Sequence, residues 1–362
     1  MNHLLKEIRH DPLLWMLVFV PVVFAAANLR PAAHTLLFML SVLAILPLAA
    51  LLSHATESVA AKTGDAAGGL LNATLGNLTE LVIALTALRA GEYMLVKAVS
   101  AMTSSEMSFL LGGLKHHVQE YNRVSARMQA GLLFLATVAL LIPSAVSRTE
   151  FTAGAVFTRQ LSVGLAVLLI LTYGLGMLFS LKTHRELFVS AESGEASESP
   201  WPIGLALATL AGVTVLVALV SEIFVESVQK AAEAFGMTPA FVGFIVVALV
   251  GGAAEMGSAF SGARKNRLDL SVGIALGSAS QIALFVAPVL VLFSYVLGPT
   301  PMDLHFWPGA VVMIFIAALT ASLVTNSGRS AWFVGVFLLM VYLVFAMTLY
   351  LLPPRVQTGA LL

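Results

Sequence analysis

Cysteine is absent from the 362 residues, which removes disulfide frameworks, thiolate metal sites and cysteine nucleophiles from consideration. Charge is nearly as scarce. Only 10% of the residues are Asp, Glu, Lys or Arg, against about a quarter in soluble domains. Neither sign prevails, with 19 basic and 19 acidic side chains, so the basic excess of a chain that partners nucleic acid is missing. No Walker-type Gly-x-x-x-x-Gly-Lys-Ser/Thr sequence occurs, and ATP-driven work has no support. No His-Glu-x-x-His hydrolase motif occurs either. His54 lies near Glu57, and His116-His117 near Glu120, but neither spacing makes a catalytic metal site, and the histidine pair reads as a solvated loop before Arg123. The chemistry left to this chain is not that of an enzyme or of a resident cofactor.

What the chain has in excess is apolar surface. Hydrophobic residues make up 59% of it, more than a soluble globule can cover with polar groups. The fold class predicted is an all-α polytopic membrane protein, since a helix needs about 20 apolar residues to cross the hydrocarbon core. Eleven stretches qualify: Leu13–Leu29, His34–Leu52, Gly68–Leu88, Tyr93–Leu111, Met128–Val146, Gln160–Leu181, Pro202–Phe224, Phe241–Phe260, Leu270–Leu297, Phe306–Val324 and Trp332–Leu351. The runs are continuous rather than alternating, which argues against strands. Lys6 and Arg9 ahead of the first run, with Ala25-Ala26-Ala27 near its end, leave a cleaved signal segment open as a second reading of that span. With the N-terminus on the cytoplasmic side, twelve of the 19 Lys and Arg residues face the cytoplasm, the side they favour. The lipid bilayer is the first partner predicted.

Two of these spans share a pattern. One contains Gly76-Asn77-Leu78-Thr79-Glu80 and the other Gly251-Gly252-Ala253-Ala254-Glu255, with a basic residue, Arg89 or Arg264, nine positions after each glutamate. The assumed orientation runs the third span outward and the eighth inward, so the two glutamate helices form an inverted repeat. Such repeats hold substrate near the midplane on interrupted helices, and the glycines permit local unwinding that frees carbonyls as ligands. A carboxylate at that depth costs several kcal/mol and is a functional hypothesis by default. Two facing carboxylates repel, and taking up protons or a divalent cation relieves the repulsion. Calcium favours six to eight oxygens. Glu80, Glu255, the Asn77 amide and the carbonyls near Gly76 and Gly251 could supply several. Occupation of one alternating site by metal or by protons, never both, is antiport.

At these residues the sequence resembles the cation/proton exchanger family of the Ca²⁺/cation antiporter superfamily. The resemblance rests on GGLLNATLGNLTELVIALTALRAGE and VGFIVVALVGGAAEMGSAFSGARKNRLDLSVGIALGSASQIALFVAP, and it covers most of the chain after the first span. It implies a first helix (1–32), then two inverted five-helix halves (33–181 and 202–362) joined by an acidic cytosolic segment (182–201). It also implies export of Ca²⁺, or a related cation, driven by proton entry, with Na⁺(K⁺)/H⁺ or Na⁺/Ca²⁺ exchange on the same fold as alternatives. Glu80 and Glu255 fall on the family's two cation-binding glutamates, Asn77 on its ligand-helix asparagine, and Ser278 and Gln281 on polar residues facing the site. Glu57 and Glu222 match acidic positions beside the approach paths. The location implied is a bacterial inner membrane; assembly into a homo-oligomer is left open.

Two departures stand out. The second motif is usually Gly-Asn-Ala-Ala-Glu-His; Gly252 and Met256 here remove an amide oxygen and an imidazole, and a thioether does not suit calcium. The fourth span is the other departure. Aligned from the glutamates, Thr103, Ser104, Ser105 and Glu106 stand opposite Ser278, Ala279, Ser280 and Gln281. Few residues then remain before Gly112-Gly113. This predicts a short or broken helix at Met102–Glu106, Glu106 as an accessory site carboxylate or one drawn to an aqueous edge, and impaired transport.

Overall fold

In a computed structural model, the residues described are 8–9, 11–63, 68, 70–71, 74–93, 96, 112–146, 154–188 and 201–352. They are mostly helical. In chain order the helices are α1 (Pro12–Leu29), α2 (His34–Lys62), α3 (Leu78–Arg89), α4 (Arg123–Val146), α5 (Gly154–Leu178), α6 (Ile203–Ala234), α7 (Pro239–Gly251), α8 (Ala253–Arg264), α9 (Leu268–Leu297), α10 (Pro308–Val324) and α11 (Trp332–Leu351). Among the described residues seven helices are long and apolar enough to cross a bilayer, or eight if α7 and α8 count as one bent span. All the spans predicted from sequence have helix among their described residues; of the fourth, only Tyr93 and Val96 are described, both helical. Glu106, Met102–Glu106 and most of the acidic linker lie outside the described residues.

Local chemistry sets several helix starts. Asp11 accepts a hydrogen bond from the Leu13 amide at 2.9 Å, with Pro12 in the first turn of α1. Thr238 does the same for Phe241 at 3.0 Å, ahead of Pro239. A proline in a first turn sacrifices no hydrogen bond, because the helix has no acceptor for that amide. Outward faces are apolar, with Leu29 81% and Val296 82% exposed, as lipid contact requires.

The core is built around α2 and α6. The Trp201 amide, just before α6, donates to Ser58 Oγ near the end of α2 at 3.3 Å. Lys230 Nζ, near the end of α6, meets His34 Nε2 at the start of α2 at 3.0 Å. The two helices are therefore antiparallel over their whole length, with Phe38 stacked on Phe224 between them. Helix α2 also packs against α8, while α6 packs against α3.

Residues 112–123 tie the first half of the chain to the second. Strand β1 (Val118–Glu120) pairs antiparallel with β2 (Arg329–Ala331), Gln119 opposite Ser330. The Glu120 carboxylate meets Arg329 at 2.8 Å across the ribbon. Gln119 is buried and donates to the Ala263 carbonyl at 2.9 Å and to Asn266 Oδ1 at 3.1 Å. The Arg264 carbonyl accepts from Lys115 at 2.9 Å and lies 2.8 Å from the His116 ring. Two basic groups thus sit on the carbonyl end of α8, where the helix dipole favours positive charge. Gly112 and Gly113 are buried, and Gly113 lies so close to the backbone of Trp332 that no side chain fits there. Of the histidine pair predicted as solvated, His117 is exposed, while His116 is half-buried against the Arg264 carbonyl.

Candidate functional site

Both glutamate helices restart after an interruption. Residues 76–77 form a turn ahead of Leu78, and Gly252 interrupts the helix ahead of Ala253. Across that second break the arms α7 and α8 bend by 61°. Glu80 and Glu255 each become the third residue of a new helix. The first amides of a helix have no intrahelical partner and carry the positive end of its dipole, so each carboxylate sits where negative charge is best tolerated. Placement there offsets part of its desolvation cost, by roughly 0.3–2 kcal/mol.

The breaks bring the two carboxylates together. A cavity of about 30 Å³ is lined by Glu80, Gly251, Gly252, Glu255, Met256 and Ser278. That is room for one or two water-sized groups. Glu80 is 5% exposed and shares this cavity with Glu255. Its side chain lies across Gly251: a β-carbon there would stand 3.2 Å from Glu80 Cγ and 3.6 Å from Oε1. Glycine at 251 lets the second half's backbone approach the first half's carboxylate.

An amide network braces the site from α9. Asn77 Nδ2 donates to Gln281 Oε1 at 2.5 Å, and the Ser278 hydroxyl donates to Asn77 Oδ1 at 2.8 Å. All three side chains are buried. Ser278 lines the small cavity together with Glu255, so its hydroxyl links the asparagine of one half to the wall that carries the glutamate of the other. Among the described residues Gln281 Nε2 has no hydrogen-bond partner.

A second cavity, about 540 Å³, runs from this centre toward the β1–β2 end. Glu255, Gly76, Ser278 and Gln281 line one part, and Glu57, Asn122, Asp269 and Phe188 line another. Of the residues singled out from sequence, Glu80, Glu255, Asn77, Gly76, Gly251, Ser278 and Gln281 converge here, and Glu57 lies on the path. Glu222 does not reach this centre. It is exposed and pairs with Arg89 at 3.6 Å, beyond the far end of α3. Two lining residues were not foreseen. Asp269 stands in the first turn of α9 and accepts from the Asn122 amide; the Asn122 side chain caps α4 through Val124 and Ser125 and donates to the Leu187 carbonyl at 2.9 Å. The acid after Arg264, Lys265 and Arg267 was a usable signal for Asp269. Nothing in the local sequence marks Asn122 as a junction of three segments.

Among the described residues no group of three or more His, Asp or Glu side chains could hold a metal. The small cavity presents two carboxylates and the Ser278 hydroxyl, oxygens of the kind that hard cations favour.

Comparison with known proteins bears on what such a centre does. The model of the sodium/calcium exchanger protein family matches the chain twice, over residues 33–182 and 205–351. The chain is 39% identical to a Ca²⁺/H⁺ antiporter of Aphanothece halophytica, over 95% of its own length and 97% of that protein's. It is also 39% identical to the Ca²⁺/H⁺ antiporter ChaA of Bacillus subtilis, over 87% and 92% respectively. The structure of native YfkE superposes with a TM-score of 0.79 at 36% identity, covering 92% of this chain and 98% of that one. The H⁺/Ca²⁺ exchanger CAX superposes at 0.69 with 16% identity, over 93% and 87%, a likeness of fold.

Proposed function

The chain belongs to the sodium/calcium exchanger protein family, and from that premise we propose that it is a secondary antiporter exchanging Ca²⁺ for H⁺ across a bilayer. The observation that carries this reading is the meeting of Glu80 and Glu255 at one small cavity, each on the first turn of a helix restarted at a matched break. Relatives named as Ca²⁺/H⁺ antiporters, aligned over nearly the whole chain, support it.

In the proposed architecture a first helix precedes two inverted five-helix halves, eleven helices in all. The double match of the family model supports two equivalent halves. Gly91 and Asn266, each eleven positions after its glutamate, both take the left-handed backbone conformation, at φ 79° and 60°, as equivalent turns should. The antiparallel packing of α2 on α6 supports the inversion.

The mechanism follows from charge. The ionised pair carries two negative charges, and moving it unneutralised through low dielectric is costly. A divalent cation cancels both charges, and so do two protons. Either load permits the rearrangement and the bare pair resists it, which makes exchange obligatory. Ser278 and Asn77 hold the two halves together beside the carboxylates, and the larger cavity supplies the path from the β1–β2 face, the cytoplasmic one in the orientation that places the N-terminus inside.

The test is uptake into proteoliposomes. Acid-loaded vesicles should accumulate Ca²⁺, and the accumulation should release protons. Proton flux driven only by Na⁺ or K⁺ would instead favour monovalent exchange, a reading that Gly252 and Met256 make worth including because they remove hard ligands from one wall. No cation response at all would overturn both.

A further inference from the structure

Glu57 lines the cavity that reaches Glu255, at the end of α2. The sequence around it recurs in α6. Glu57-Ser58-Val59 is matched by Glu226-Ser227-Val228, and the burial matches residue for residue: Ala55 and Thr56 are buried, Glu57 exposed, Ser58 and Val59 buried, just as Phe224 and Val225 are buried, Glu226 exposed, Ser227 and Val228 buried. Because α2 and α6 run antiparallel, with Ser58 beside Trp201 and His34 beside Lys230, the two glutamates lie toward opposite ends of the pair. Each helix also packs on the other half's glutamate helix, α2 on α8 and α6 on α3.

The end that carries Glu226 is closed by contacts between α6 and the chain leaving α3. Glu222 pairs with Arg89 at 3.6 Å, and Gln229 donates to Glu92 at 2.8 Å. Glu226 is four residues after Glu222 and three before Gln229, so all three share one helix face. That face packs on α3, the helix that carries Glu80 in its first turn, as α2, which carries Glu57, packs on the helix of Glu255.

We infer that Glu226 is the outer counterpart of Glu57: the carboxylate that concentrates hydrated Ca²⁺ at the outer approach to the site once the Arg89–Glu222 and Glu92–Gln229 contacts part. This rests on the antiport proposed above and adds a residue that sets apparent affinity on one face only. A carboxylate at a mouth raises the local cation concentration without entering the bound ion's shell, and salt screens its effect.

Half-saturation by Ca²⁺ measured separately from each face tests the assignment, in inside-out and right-side-out vesicles. Glu226→Gln should raise the outer-face value severalfold at low salt and leave the inner-face value unchanged, with the difference shrinking as salt rises. Glu57→Gln should do the reverse, and Glu226→Asp should stay close to wild type. The chain has no cysteine, so Glu226→Cys and Glu57→Cys each place a single thiol; a membrane-impermeant reagent should label the first from outside and the second from inside, whether or not transport survives. Equal shifts on both faces, or labelling of both thiols from one face, would overturn the inference while leaving antiport standing. A wild-type protein without Ca²⁺-driven proton flux would overturn both.

Discussion

Glu80 and Glu255 are the residues on which exchange depends most directly. Glu80→Gln and Glu255→Gln each remove a charge with almost no change in volume. Each should abolish Ca²⁺-driven proton flux while melting temperature and detergent-phase elution stay near wild type; normal flux in either variant removes that residue from the site. Gly251 makes a subtler case. A methyl group there meets the Glu80 side chain at 3.2 Å, tighter than ordinary contact, so Gly251→Ala should displace the carboxylate and weaken Ca²⁺ affinity by roughly tenfold, the equivalent of about 1.4 kcal/mol. Asn77→Ala leaves Gln281 and Ser278 without their buried partner. A loss of about 1–3 kcal/mol in stability is expected, read as a lower midpoint of thermal unfolding, together with weaker binding.

At the scale of elements, the β1–β2 ribbon and the fourth span invite separate tests. The Glu120–Arg329 pair is largely exposed, and pairs of that kind contribute little. Gln119 is buried against the end of α8. Gln119→Ala should therefore lower thermal stability clearly more than Glu120→Ala; the reverse order would mean that the ribbon is held by its surface charge. The fourth span is a matter of sequence arithmetic. About eighteen residues from Tyr93 reach about 27 Å at 1.5 Å per residue, short of a hydrocarbon core of about 30 Å. Inserting seven apolar residues after Ser105 should raise the exchange rate, and unchanged or reduced exchange would show that this length is already sufficient. The ribbon itself escaped sequence analysis because three-residue strands show no period to detect, and their pairing joins residues about 210 positions apart.

For the whole molecule, metal and protons must compete if one pair of carboxylates carries both. Ca²⁺ binds the deprotonated pair, so lowering the pH adds protons that the metal has to displace. Apparent affinity should fall with pH, by up to about tenfold per pH unit for each proton released. Calorimetry in buffers of different ionisation enthalpy counts those protons, and a count of zero between about pH 6 and 8 would contradict a shared site.

The sequence by itself determined the class and the two glutamate motifs. These follow from local quantities: about 20 apolar residues make a span wherever they occur, and Gly-x-x-x-Glu can be found twice without knowing where either copy sits. Only the tertiary structure decided that Glu80 lies on the backbone of Gly251, that Asn77 and Ser278 join the halves about 200 residues apart in the chain, and that Asp269 and Asn122 line the path. Glu222, an approach-path acid by its motif, is bound to Arg89 at the closed end. The physical reason is that a carboxylate's partners are set by which helices pack together. Helix packing depends on burial summed along whole elements, and no window of sequence contains it.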